Sequence, residues 1–200
     1  RLFVLKVLLL YSLCILYSQN PKNSLNVKEY TLSNGLTVWL NEDNSQPKII
    51  GSIIVKAGAK HSPNTGIAHY FEHIMFKGTD KIGTINFEEE KVWLDSISIK
   101  YDELAHTTDN SKRLEIQKEI NNLSIKAAEY VVPNEFNRLI SQYGGSGLNA
   151  GTSWDFTMYF NTLLPQYLAH WCQLNSERLI NPVFRMFQSE LETVYEEKNM

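Results

Sequence analysis

The chain is predicted to form an α/β (α+β) fold: a two-layer sandwich in which helices cover a mainly antiparallel sheet. Three observations on its 200 residues carry this. Three strand-like runs come first and deliver the chain to a short amphipathic helix. A further aromatic strand stands between helical segments in the second half. A long, heavily charged helical stretch is inserted between these blocks. The length fits one domain with a sizeable core, and there is neither a short-period repeat nor a clear linker.

Leu2 to Tyr17 is almost wholly apolar, with Arg1 and Lys6 near the front and Ser18-Gln19-Asn20-Pro21 behind. Residues 1–19 read as a secretory signal peptide, its apolar run short and soon interrupted for a membrane span, with an uncleaved membrane anchor as the lesser alternative. The expected location is therefore outside the cytoplasm, periplasmic or extracellular. Without the leader two cations and no acid are lost, so the formal net charge moves from −3 to −5. Only Cys172 then remains, so no internal disulfide is expected and stability must come from packing or partners. No basic cluster points to nucleic acid.

Residues 20–200 form the expected domain. Val27–Leu32 and Leu36–Leu40 alternate around Asn34-Gly35, a hairpin with a type I′ turn. Ile49–Val55 gives a third strand. A loop over Ser62–Gly66 leads to a helix that Thr65 or Asn64 would cap, with Gly78 just past its end. From about residue 87 to 130 the pattern is helical and charged, broken at Thr107–Ser111; it reads as a solvated helical hairpin with one packed stripe. Asn134–Ile140 starts another helix before the flexible Gly144–Gly147. Asp155–Asn161 reads as a strand, and Leu163–Leu179 as a helix begun near Pro165 with Leu168, Trp171, Cys172 and Leu174 inward. The last helix runs from Phe187 to Met200 with no breaker, so a longer protein is expected.

The stretch His69-Tyr70-Phe71-Glu72-His73 concentrates the chemistry. On a helix, His69 and His73 share a face at i,i+4 and two imidazoles can meet one cation, with Glu72 near the same face to accept a proton from water. The order H-x-x-E-H is a zinc-peptidase signature. Five residues alone also suit an amphipathic helix whose histidines are satisfied by hydrogen bonds, so a third ligand decides. The last helix offers Glu190 and Glu197, two turns apart on nearly one face, while Glu192 and Glu196 point elsewhere. Either could complete the site, and spacing does not select between them; without further information the helix also reads as a solvated acidic surface.

Together these motifs resemble the N-terminal catalytic module of the inverzincin metallopeptidases, the M16 superfamily of pitrilysin, insulin-degrading enzyme and the mitochondrial processing peptidases. The resemblance runs from about Tyr30 to Met200. It implies a zinc endopeptidase with His69, His73 and Glu197 as metal ligands, Glu72 as general base and Glu190 supporting the ligands from behind. It implies substrate contact at Asn149, Ala150, Gly151 and Thr152, where Asn149-Ala150-Gly151-Thr152-Ser153 matches the family's pattern at an edge strand that can add an extended peptide. The 124 positions between His73 and Glu197 exceed the usual separation by about the length of the charged helical insertion, as in secreted bacterial members. The implied partners are a peptide or unfolded protein, and further C-terminal family domains or a partner subunit. Without these the 200 residues alone are expected to be weakly active or inactive. The alternative is a noncatalytic structural or peptide-binding member.

Overall fold

The computed structural model describes residues 26–199; the expected signal peptide, 1–19, lies outside the described residues. The chain divides into two compact units, one ending at Gln46 and one beginning at Pro47. In the first, Val27–Thr31 (β1) pairs antiparallel with Thr37–Asn41 (β2), Val27 opposite Asn41 and Thr31 opposite Thr37. Trp39 Nε1 donates to the cross-strand Glu29 Oε2 at 2.6 Å. The turn differs from the type I′ expectation. Gly35 has φ +84°, but Asn34 is not left-handed. The backbone bond of Leu32 N to Leu36 O encloses three loop residues rather than two. Asn34 Oδ1 accepts the Leu36 N–H at 3.1 Å, and this side-chain bond favours the bulged three-residue loop.

In the second unit Ile49–Val55 (β3), Ser146–Thr152 (β4) and Thr157–Leu163 (β5) form an antiparallel sheet of order β3-β5-β4. The strand with the aromatic alternation, β5, is the central one; β4 is an edge, and although its first residues, Ser146 and Gly147, belong to the expected flexible glycine loop, Asn149–Thr152 lies at an edge as the resemblance implies. Glycines weaken a strand interior but suit an edge with a bulge. The β4–β5 register shifts between Ser146 and Asn149, and Gly147 there has φ +64°. On β5, residues 157, 159, 161 and 163 are buried and face one way.

Six α-helices are described: Ile67–Ile74 (α1), Phe87–His106 (α2), Asn110–Ala128 (α3), Glu135–Gln142 (α4), Leu168–Ile180 (α5) and Phe187–Asn199 (α6). None is long and apolar enough to cross a membrane. One core joins Ile82, Phe136 and Ile140, with Phe76, Leu148, Trp171 and Leu174 against it. Gly51 admits Trp171: a Cβ there would lie 2.6 Å from the indole. The inward side of α5 is the expected apolar set only in part: Trp171 and Leu174 pack against the core. Cys172 is exposed and Leu168 is 41% exposed, whereas Asn175 and Arg178 are buried. Arg178 donates to Asn175 at 2.6 Å and lies 4.5 Å from the Tyr159 ring and 4.6 Å from that of Phe136. Those ring faces offset part of the cost of burying its charge.

The segment 87–130 is the expected helical hairpin. Asn86 and Asp109 accept backbone N–H groups as N-caps of α2 and α3. Ile116, Ile120 and Ala127 supply the packed stripe on α3. The only fully buried residue of α2 is an acid, Glu90.

Candidate metal centre

Gly66, at φ +73°, turns the chain into α1. It takes the N-cap position expected of Thr65 or Asn64, while the Thr65 hydroxyl still receives the Ile67 N–H at 3.2 Å. Helical spacing then puts His69 and His73 side by side, Nε2 to Nε2 3.2 Å, with the rings at 84° to one another. The adjoining face of α1 carries Tyr70 and Ile74, which bury against Val194 of α6. Tyr70 Oη donates to Phe187 O at 2.8 Å, which fixes where α6 begins relative to α1. Burial, with Tyr101 and Glu190 nearby, raises the Tyr70 pKa, so this donor stays protonated.

This packing turns one stripe of α6, Glu190, Val194 and Glu197, toward α1. Glu197 Oε2 lies 3.4 Å from His69 Nε2 and 3.4 Å from His73 Nε2. Metal–ligand arms of about 2.0–2.1 Å meeting at tetrahedral angles separate donor atoms by roughly 3.3–3.4 Å. The observed spacings of 3.2, 3.4 and 3.4 Å therefore fit a zinc-sized cation. Glu72 competes for the third position, since donor atoms of His69, Glu72 and His73 also lie within 4.8 Å of one another. Distance favours Glu197, because Glu72 Oε2 is already engaged: it accepts from Thr152 Oγ1 at 2.5 Å.

Behind the histidines, Glu190 Oε2 lies 3.5 Å from His73 Nδ1, and its other oxygen is 2.5 Å from Lys77 Nζ. Glu190 thus addresses His73 rather than His69. Lys77, three residues beyond the helix end, is a further partner of the cluster. The helix itself stops at Ile74; Gly78 serves a tight loop beyond it, at φ +103°, instead of a helix cap.

His69, Glu72, His73, Glu190 and Glu197 line a cavity of about 710 Å³ together with Asn149, Ala150, Gly151 and Thr152. These four come from the outer strand β4. The Asn149 side chain is partly occupied within its own strand, Oδ1 accepting the Ala150 N–H at 2.9 Å. Thr152, expected to face substrate, has its hydroxyl on Glu72. Its spacing from Glu72 in sequence gave no sign of this.

Residues 37–91 match the family model described as insulinase (peptidase family M16). A 60-residue stretch is 37% identical to coenzyme PQQ synthesis protein F of Pseudomonas syringae pv. tomato, covering 29% of this chain and 8% of that protein. A protease from Helicobacter pylori shares the fold at a TM-score of 0.57 and 22% identity, over 87% of this chain and 31% of its own. The chain therefore spans less than a third of the solved relative. The matched family segment contains His69, Glu72 and His73; it ends well before Glu190 and Glu197, whose approach to the histidines is a feature of the three-dimensional packing.

Proposed function

From the premise that this chain belongs to the M16 peptidase family, we propose that it is the zinc-binding part of an endopeptidase acting on extended peptides or unfolded proteins. The observation that carries the reading is the triangle of His69 Nε2, His73 Nε2 and Glu197 Oε2, with sides of 3.2, 3.4 and 3.4 Å. These residues would hold the ion, leaving a fourth direction toward the cavity. When bound, zinc supplies Lewis-acid polarisation of a carbonyl and acidifies water at neutral pH.

The chain's own groups do the rest. Glu72, 8% exposed at the cavity wall, takes a proton from the attacking water. Hydroxide adds to the scissile carbonyl carbon, the C–N bond breaks, and Glu72 passes its proton to the leaving amine. Thr152 pins one carboxylate oxygen and so fixes the direction of the other. The outer edge of β4 offers unpaired backbone groups to an extended peptide, a contact nearly indifferent to side chains. Glu190 orients His73 through Nδ1, and Lys77 holds Glu190 in turn. Closure of the site falls to further protein mass, either later domains or a partner subunit. The leader-like residues 1–19 support action outside the cytoplasm, in a periplasm or beyond the cell.

The test is metal analysis joined to cleavage of an unfolded peptide by the whole protein, wild type and Glu72→Gln. Stoichiometric zinc in both, with cleavage in wild type alone, is expected. Equal cleavage would remove Glu72 from its role, and absence of zinc from both would remove the centre itself.

A further inference from the structure

The two helices that carry the candidate ligands are joined by a side chain that lies on neither. Arg185 is 1% exposed, and its partner Glu90, from the first turn of α2, is 0% exposed. Arg185 Nε donates to Glu90 Oε1 at 2.7 Å and Nη2 to Glu90 Oε2 at 2.9 Å. Nη2 also donates to Thr79 O at 2.7 Å, and Nη1 to Lys77 O at 3.0 Å and Ile82 O at 3.2 Å. A guanidinium has five N–H donors, and all five are used.

The acceptors show what this hub joins. Lys77, Thr79 and Ile82 belong to the loop by which the chain leaves α1; Arg185 stands two residues before α6 begins. Two backbone links run alongside: Val183 N donates to Gly78 O at 3.1 Å, and Thr79 bridges Pro182. The loop closes tightly around the guanidinium, since a Cβ on Gly78 would lie 2.0 Å from Ile82 O and 3.1 Å from Arg185 Nη1. From the same loop the Lys77 ammonium reaches Glu190, which reaches His73. Contacts therefore run without a gap from Glu90 of the inserted hairpin, through Arg185, Lys77 and Glu190, to a candidate ligand.

A buried ion pair is poor value as plain stabilisation, because desolvation consumes most of the attraction and an apolar pair would pack as well. An apolar pair could not, however, supply directed donors to three carbonyls of one loop. The leverage is large. Glu197 lies ten residues into α6 from Phe187, about 15 Å along a helix at 1.5 Å per residue, so a tilt of about 5° moves it by about 1.3 Å. Metal ligation tolerates only about 0.2 Å.

We infer that Arg185, held by Glu90, is a positioning residue for the candidate metal centre: it fixes the joint between α1 and α6 and so the distance at which Glu197 meets His69 and His73. The inference rests on the zinc reading of that centre. It also gives the inserted hairpin a part in the site, through its one buried acid.

The experiment compares Arg185→Lys, Glu90→Gln and Arg185→Met with wild type in the whole protein. Zinc affinity is measured by competition with a chromophoric chelator, the cobalt(II) absorption spectrum reports coordination, and circular dichroism and melting report the fold. Lys100→Met, which breaks an exposed ion pair to Glu119 on the same hairpin, is the control. The two conservative variants should stay folded, bind zinc at least about tenfold more weakly and shift the cobalt spectrum, as removal of outer-shell support does; the control should do neither. Arg185→Met, which leaves Glu90 buried without its partner, should lower the melting temperature most. A lowered melting temperature with unchanged zinc affinity and cobalt spectrum would overturn the inference alone. Failure of the wild type to bind zinc would overturn the reading of the centre, and the inference with it.

Discussion

Thr152 Oγ1 and Glu72 Oε2, 80 positions apart in the chain, meet in a hydrogen bond of 2.5 Å. The edge strand proposed to receive a peptide is thereby tied to the group proposed to move the proton. The neighbouring Thr157 hydroxyl, 3.2 Å from Thr152 Oγ1, gives its own proton to Ala57 O at 2.9 Å, so the Thr152 proton is left for Glu72. Thr152→Val keeps the volume and removes the donor. A hydrogen bond to a charged group contributes about 1.5–3 kcal/mol, so kcat should fall by roughly ten- to a hundredfold. Zinc content should not change, and Thr152→Ser should recover most of the rate. Steady-state kinetics beside metal analysis separates this from a binding defect: a rise in KM at constant kcat would assign Thr152 to substrate contact instead.

The carboxylates of α6 should rank by their contacts. Glu197→Gln removes a candidate ligand and should lower zinc affinity most. Glu190→Gln and Lys77→Met loosen His73 from behind, at a cost of about ten- to a hundredfold in affinity each. Because Lys77 acts through Glu190, the double variant should be no weaker than the weaker single one. Chelator competition reads all four proteins, and full additivity of the two singles would mean that Lys77 acts on the site independently.

Alkaline stability should depend on two buried phenols. Burial pushes the Tyr159 hydroxyl up to about 12, with Arg178 opposing the rise and Glu72 adding to it. Tyr70 is raised in the same direction. Tyrosine in an unfolded chain ionises near pH 10, so both folded values lie above the unfolded one. The stability contributed by the protonated phenols is then complete below about pH 10 and is lost as pH rises toward about 12. Urea midpoints measured across that range should fall, and Tyr159→Phe should flatten part of the decline. A midpoint independent of pH there would refute the assignment.

How much of this was legible in the chain follows from the range of each interaction. His69, Glu72 and His73 are a local pattern, fixed by helical periodicity within five residues. The inserted hairpin was legible too, as a charged helical stretch broken at Thr107–Ser111, in which Ile116, Ile120 and Ala127 recur at helical spacing. The choice of Glu197 over its neighbours depends on α6 packing through Val194 onto Tyr70 and Ile74, a tertiary event with no local signature. Glu90 and Arg185 were hidden for a different reason. Charged residues in a charged stretch read as surface, and nothing near either one announces a partner 95 positions away. On α5, Trp171 and Leu174 were legible as core, but Arg178, buried among aromatic rings of other elements, and its hydrogen-bond partner Asn175 were not. At Asn34-Gly35 the right residues gave the wrong loop length, the Asn34 side chain having taken the N–H that decides it.

The irregular start of β4 has a consequence for the company this protein keeps with itself. A sheet edge able to accept a peptide can equally accept the same strand from another copy, and regular edges seed such self-pairing. Here the register slips between Ser146 and Asn149, and Gly147 turns left-handed at φ +64°. Regular pairing is left to the short run Asn149–Thr152. A regular run that short is a poor template for a growing stack of copies, so the irregularity at the start of the strand works against edge-to-edge aggregation.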